Sequence, residues 1–291
     1  MGLDPGSALR RRLALLLALV AVGCASSEPD IATLASNSDQ VIWEAGQKAV
    51  EKKQWESARK HFKRIIEGFP QSQYSPAARL ALAESHFNEG GAANYILAIS
   101  EYRDYLTLYP SLPQSDYAQF RIGEAYYLQR NNPDRDQSPT TKAVEEYQRL
   151  LEVYPKSPYG ETARARISEC RESLARAEFL AGYFYQKTRK AYRAAISRYE
   201  GILTDYVDYD ALDEVMYRLA QCLALSGRPA EALPRLATLL ERYPNGRWAA
   251  DARELMDRIK QDKFRALPTP APSPAPSEAP PANLPGQAGS R

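Results

Sequence analysis

LDEVMYRLAQCLALSGRPAEALPRLATLLERYP, residues 212–244, reads as two amphipathic helical stretches joined at Gly227 and closed by a proline. The second stretch carries a signature: Ala232, then Leu236 four later, Leu239 three after that, and Pro244 five further on. Offsets of four and three put the first three residues on one face of a helix. Proline lacks the N–H that a continuing helix needs and restricts the residue before it, so each copy ends in a stop. Pro234 inside the second stretch falls early enough in its helix to be tolerated.

The signature recurs upstream. It reads Ala58, Phe62, Ile65, Pro70, then Ala98, Tyr102, Tyr105, Pro110, then Ala143, Tyr147, Leu150, Pro155. A degraded copy is Ala195, Tyr199, Ile202, with Val207 where proline should be. The small alanine lets a neighbouring helix come close, and the large side chain fills the space beyond. Helix pairs repeated this way cannot bury their apolar faces alone and must stack. The predicted fold is all-α: a right-handed superhelix of five tetratricopeptide-like helix pairs with a C-terminal capping helix. The repeats fall at about 41–70, 76–110, 117–155, 159–207 and 211–244, with the cap at 248–264, giving a solenoid over 41–266.

Several places interrupt the pattern. Gly90 and Gly91 break the second repeat, and Ser111–Ser115, with two prolines flanking Leu112, suggests a longer connection. Gly46 and Gly123 are the small residues of the first helices of their repeats. Between Asn131 and Thr141 lies a polar insertion, NNPDRDQSPTT, holding Asp134, Arg135 and Asp136. Insertions in solenoids map to one face, often a binding face; the plainer reading is a solvated loop whose Asp and Arg pair with each other. Thr140 or Thr141 is placed to cap the next helix. The fourth repeat opens with a long helix, from about Tyr159 toward Gln186, followed by a basic run of Lys187, Arg189, Lys190 and Arg193.

The two ends lie outside the repeats. Arg10, Arg11 and Arg12 precede the apolar run Leu13–Val22, a basic region and a short hydrophobic one, as in a secretory signal over residues 1–23. The run is shorter than the roughly 20 residues that span a bilayer. Ala21, Val22 and Gly23 before Cys24 resemble a bacterial lipobox, which makes Cys24 the expected lipidation site and first mature residue. By resemblance to the sorting rule of many Gram-negative bacteria, Ala25 after it, in place of Asp, favours the outer membrane. Residues 24–40 read as a flexible tether, and 267–291, rich in Pro and Ala, as an extended tail with no packed core.

Composition narrows the function. Lys and Arg number 38 against 36 Asp and Glu, and loss of the signal removes three arginines and one aspartate, leaving a nearly neutral chain. No nucleic-acid partner is expected from that balance. Nineteen tyrosines suit a thin two-layer array, where a ring packs while its hydroxyl reaches water. Catalytic material is thin. His61 and His86 sit on different helices without a matching carboxylate constellation, and no phosphate loop or C-x-x-C motif occurs. No enzyme activity, cofactor or metal site is expected. Cys170 and Cys222, in neighbouring repeats, are open to a disulfide in an oxidising compartment or to burial as free thiols.

With these residues in view, the chain resembles the BamD family of outer membrane lipoproteins over about 41–260. The resemblance is carried by DRDQS at Asp134–Ser138 followed by Thr140 and Thr141, by the YPxSxY run Tyr154–Tyr159, and by Tyr185, Ala191, Ala195 and Arg198 in the fourth repeat. It implies a non-catalytic scaffold on the periplasmic face of the outer membrane, held there by an N-terminal lipid. It further implies binding to the barrel-forming central subunit of the β-barrel assembly machine through its POTRA region. Other lipoproteins of that machine and unfolded outer membrane proteins are implied as further partners. The family arginine tied to the central subunit falls on Arg198, beside Glu200. Read from the residues alone, Arg198 either clamps a partner carboxylate or pairs within the chain with Glu200 or Asp205. Tyr74, Tyr117, Phe120 and Tyr126 would face substrate or fill the core. The Pro-rich tail departs from the family pattern. It leaves a second class of function in view, a periplasmic adaptor associated with peptidoglycan or cell division.

Overall fold

The computed structural model describes residues 38–261, and their regular structure is entirely helical. In chain order the helices are α1 Asp39–Glu51, α2 Trp55–Gly68, α3 Ser75–Glu89, α4 Ala92–Leu108, α5 Ser115–Tyr127, α6 Ser138–Val153, α7 Gly160–Phe184, α8 Tyr192–Asp205, α9 Leu212–Leu225, α10 Pro229–Arg242 and α11 Ala249–Lys260. None of the described helices is long and apolar enough to cross a membrane. The chain forms two compact bodies, one up to Ala125 and one from Tyr126 on. The signal, Cys24, most of the tether and the Pro-rich tail lie outside the described residues.

The signature residues are the core of both bodies. Ala58, Phe62, Ile65, Ala98, Tyr102, Tyr105, Ala143, Tyr147, Leu150, Ala195, Tyr199, Ile202, Ala232, Leu236 and Leu239 are each 0% exposed. Burying one such large apolar side chain is worth about 1.5–3 kcal/mol. In the first body, Ile42 and Ala49 of α1 meet Phe62 and Ile65 of α2 and Ala78 and Leu82 of α3. The half-buried Trp43 stacks on Tyr74 at 5.8 Å and tilts against Phe62 at 5.6 Å. A polar network joins α3, α4 and α5. Arg121 donates from Nε and Nη2 to the two carboxylate oxygens of Glu84 at 2.9 and 2.8 Å, Tyr102 donates to the same carboxylate, and the guanidinium lies 3.4 Å over the Phe87 ring.

In the second body, Phe179, Tyr199, Leu219, Leu223, Leu236 and Leu255 belong to one core spanning α7 to α11. Two aromatic rings of the signature press on glycines of the preceding helix. A Cβ at Gly46 would stand 2.5 Å from Phe62 Cε1, and one at Gly182 would stand 2.7 Å from Tyr199 Cε1. Cβ atoms essentially never come that close to another heavy atom. Gly182 therefore sets how near α8 approaches α7.

Each signature helix ends on an aromatic residue in one conformation. Phe69, Tyr109, Tyr154, Tyr206 and Tyr243 have φ between −125° and −136° and ψ between 56° and 64°. Tyr206 adopts this geometry with Val207 after it, so the proline is not what makes the stop. Beyond the aromatic residue the chain makes two successive three-residue steps. Ser72, Leu112, Ser157 and Gly246 donate back to the carbonyls of Phe69, Tyr109, Tyr154 and Tyr243, and Ser75, Ser115, Gly160 and Ala249 donate in turn to that first set. Ser111–Ser115 is therefore not a longer connection. Its two prolines fit the common turn, and α5 opens at Ser115, ahead of the predicted Tyr117.

The long helix of the fourth repeat runs as expected, from Gly160 to Phe184. It relaxes into a π-turn at Tyr185–Arg189, and Lys190 takes a left-handed φ of 55° before α8. The carbonyl of Tyr185 closes the turn by accepting from Ala191 N at 2.9 Å. Neither Thr140 nor Thr141 caps α6, because the helix starts at Ser138 and both already lie in its first turn. Thr140 is instead buried. Pro234 is accommodated within α10, and its carbonyl accepts from Thr238 Oγ1 at 3.0 Å. Cys170 and Cys222 are free and buried, so no disulfide links the two repeats.

Candidate functional site

The predicted partner-binding residues divide between the insertion and α8. Asp134, Arg135 and Asp136 are exposed in the loop before α6. Among the described residues no ion pair joins Arg135 to either aspartate. The loop is organised by short-range hydrogen bonds instead. Asp136 Oδ1 accepts from Ser138 N at 3.1 Å and Ser138 Oγ at 2.7 Å, which satisfies a free donor at the start of α6. These bonds favour the ionised carboxylate and hold the Asp136 pKa below its usual range. Gln137 Nε2 donates to the carbonyls of Asn132 and Arg135 at 2.8 and 3.1 Å, and Asn131 Nδ2 donates to that of Asp136 at 3.0 Å. The phrase DRDQS is thus a loop that ties itself to the helix it precedes, while the Asp134 and Arg135 side chains remain exposed.

Arg198 lies on α8 with its side chain 45% exposed. Its partner is neither Glu200 nor Asp205. Nη1 donates to both carboxylate oxygens of Glu178 on α7, at 3.1 and 2.7 Å. The reason is angular. Residues two apart on a helix point about 200° apart, so Glu200 cannot turn to Arg198, whereas α7 packs alongside α8 and presents Glu178 to it. Glu200 is exposed on the other side. It lines a shallow cleft of about 320 Å³ with Leu223, Pro234 and Arg235. Arg198 and Glu200 are therefore adjacent in sequence but do not form one site.

Next to Arg198 stands the end of α7. Tyr183 and Phe184 are 39% and 45% exposed, and Arg189 lies 5.6 Å over the Phe184 ring. The π-turn is anchored from beneath: Tyr199 Oη donates to Gln186 Oε1 at 2.9 Å, and Gln186 Nε2 donates to Gln221 Oε1 at 2.6 Å. Gln186 is only 2% exposed, so the buried core of the fourth and fifth repeats fixes the turn that borders Arg198. Arg198 offers an exposed guanidinium held at one edge by Glu178, and the turn after α7 exposes Phe184, Lys187, Arg189 and Lys190. Such a surface suits a partner that presents carboxylates. Among the described residues no cluster of three or more His, Cys, Asp or Glu is arranged to hold a metal.

Sequence reading missed Glu178 and Gln186. Glu178 sits twenty positions before Arg198 with the π-turn between them, and no local spacing rule connects the two. Of the aromatic residues proposed to face substrate, Tyr74, Tyr117, Phe120 and Tyr126 are all half-buried, and Tyr74 spends its ring on Trp43.

Comparison with known proteins gives the family. A tetratricopeptide-repeat model matches residues 214–246. The chain is 25% identical over 246 residues to the outer membrane protein assembly factor BamD of Caulobacter vibrioides, covering 84% of this chain and 79% of that one. It is 27% identical over 245 residues to the BamD of Rickettsia prowazekii, covering 83% and 94%. Among solved structures, the MamA protein aligns at 14% identity and a TM-score of 0.31, over 79% of this chain and 98% of that one. A thermophilic TPR protein of Thermus thermophilus aligns at 19% and 0.31, over 77% and 100%. The family model described as outer membrane lipoprotein, YfiO, matches residues 35–229. With two thirds of its length under that model, this all-α array of tetratricopeptide-like helix pairs belongs to the YfiO family of outer membrane lipoproteins.

Proposed function

We propose that the chain is a non-catalytic assembly factor for outer membrane proteins. It is lipid-anchored at Cys24 on the periplasmic face of the outer membrane, and it binds the barrel-forming central subunit of the β-barrel assembly machine through that subunit's POTRA region. Its curated relatives carry the name of that assembly factor. The observation that carries the partner reading is Arg198, an exposed guanidinium already oriented by Glu178 at the border of a cationic, aromatic-tipped turn. An arginine held by Glu178 and Tyr185 has little side-chain entropy left to lose when its exposed N–H donors meet an incoming carboxylate. Other lipoproteins of the machine and unfolded outer membrane proteins are the further partners of this reading, and the exposed insertion at Asp134–Asp136 is a second contact region.

The test is capture of the mature lipoprotein from solubilised outer membrane. We expect the central subunit to be recovered with the unaltered chain and lost with Arg198→Glu, which sets a second carboxylate against Glu178. An exposed ion pair contributes about 0.2–1 kcal/mol to stability, so Arg198→Ala should remain folded while binding weakens. Recovery of cell-wall factors alone would replace this reading with that of a peptidoglycan- or division-associated adaptor.

A further inference from the structure

The turn between α1 and α2 closes like the turn between α9 and α10, with one difference. Lys53 N and Gln54 N donate to the carbonyls of Val50 and Ala49 at 2.8 and 2.9 Å. Gly227 N and Arg228 N donate in the same register to Ala224 and Leu223 at 3.2 and 2.9 Å. This closure puts the residue after the first helix in the left-handed region, with φ of 81° at Gly227 and 56° at Lys53. Glycine enters that region freely, whereas an L side chain is strained there. The pull of the helix dipole on a C-terminal cation is smaller than that strain, so the lysine points to a role outside the fold. Lys48, Lys52 and Lys53 are all exposed. Among the described residues none of the three forms an ion pair, whereas Arg59 and Lys60 on α2 pair with Glu89 and Glu56. Glu51 is the one carboxylate within 45–55, so the stretch is net positive. Trp55, half-buried at the start of α2, adds an indole N–H that has no hydrogen-bond partner among the described residues. Lysines with solvated heads, next to a ring that keeps one polar edge, make up the side-chain set of a membrane interface.

We propose that the α1–α2 turn rests on anionic lipid headgroups of the membrane that holds the lipid at Cys24, an inference that relies on that anchor. The distances allow it. Residues 24–38 reach at most about 50 Å at full extension. The 13 residues of α1 rise about 20 Å from Asp39 to Glu51. The turn therefore comes within reach of the surface although it lies at the far end of α1 from the anchor. Charge complementarity selects the headgroup. Each lysine at an anionic surface is worth about a fivefold change in affinity. Three of them hold a free protein weakly, but they orient one that is already tethered.

The test reconstitutes the mature lipoprotein in phosphatidylcholine vesicles with or without phosphatidylglycerol, floats them, and acetylates accessible lysines for mass spectrometry. Flotation reports the anchor, and acetylation reports the turn. Lys48, Lys52 and Lys53 should be protected in the anionic vesicles relative to the neutral ones, while Lys187 and Lys190 react equally in both. High salt should remove the difference. Lys53→Gly should weaken the protection of Lys48 and Lys52 by about fivefold. The same variant should melt at a higher temperature, because it relieves the left-handed strain, so lost protection cannot come from lost folding. Flotation with equal acetylation of the turn in both vesicles overturns the docking and leaves the anchor standing. A chain that fails to float removes the anchor and the docking with it. Protection in native outer membrane but not in anionic vesicles assigns the turn to an acidic protein and overturns the proposal.

Discussion

Tyr199 and Gly182 are in contact across α7 and α8, with the ring edge where a Cβ on Gly182 would be, 2.7 Å from Cε1. Alanine at position 182 forces that ring aside in a core that is 0% exposed at Tyr199. We expect Gly182→Ala to destabilise the chain by about 1–3 kcal/mol, the usual cost of overpacking. Denaturant unfolding would measure it, and Gly182→Ala with Tyr199→Leu should cost less than the two single changes added together.

The same tyrosine holds the π-turn. Tyr199→Phe removes the donor to Gln186 and leaves a buried amide oxygen short of a partner, at a cost of about 1–3 kcal/mol. Because Gln186 also ties the turn to Gln221, trypsin should cut faster at Lys187, Arg189 and Lys190 in this variant. Cleavage elsewhere in the second body should change less.

Val207 stands where four other repeats carry proline, and Tyr206 before it already has the φ of −129° and ψ of 58° that Phe69, Tyr109, Tyr154 and Tyr243 have before theirs. Val207 is 64% exposed. Val207→Pro should therefore stabilise the chain by about 0.4–1 kcal/mol through a less flexible unfolded state. A fall in melting temperature would show that the aromatic stop and the proline stop are not equivalent.

His86 sets a pH dependence on the first body. Burial and the charge of Arg59 lower its pKa below the ordinary value of about 6.5. A lowered folded pKa means that the unfolded chain binds the proton more tightly. The contribution to stability is then complete above pH about 6.5 and is lost as the pH falls through the folded pKa. Unfolding at a series of pH values should show this decline, and His86→Leu should flatten it.

Cys222 and Cys170 should both be inert in the folded chain. Burial pushes the Cys222 thiol up to about 12 and raises that of Cys170, so neither supplies thiolate at neutral pH. Iodoacetamide should label neither in the native protein and both after denaturation without reductant. A need for reductant would reveal a disulfide.

The repeat signature made the helices and the core legible before any coordinates. Alanine, a large residue four later and an apolar residue three after that can share a face only on a helix, and all of these residues proved buried. The glycine break at Gly90 and Gly91 was equally readable, because both carry the positive φ that glycine tolerates. The spacing of prolines was less reliable. It suggested a long connection at Ser111–Ser115 and a stop that depends on proline, whereas five aromatic residues make the same stop with or without one.

By itself, the sequence determined the class of fold and the order of the helix pairs, both of which depend on local periodicity and residue type. Only the tertiary structure decided what each charged or polar group does. Arg198 reaches Glu178 because α7 and α8 pack side by side, and Asp136 stabilises the start of α6 because the insertion folds back on it. These pairings depend on the angle and distance at which one helix meets the next. Those quantities arise from packing across the whole repeat and are not contained in the spacing of residues along the chain.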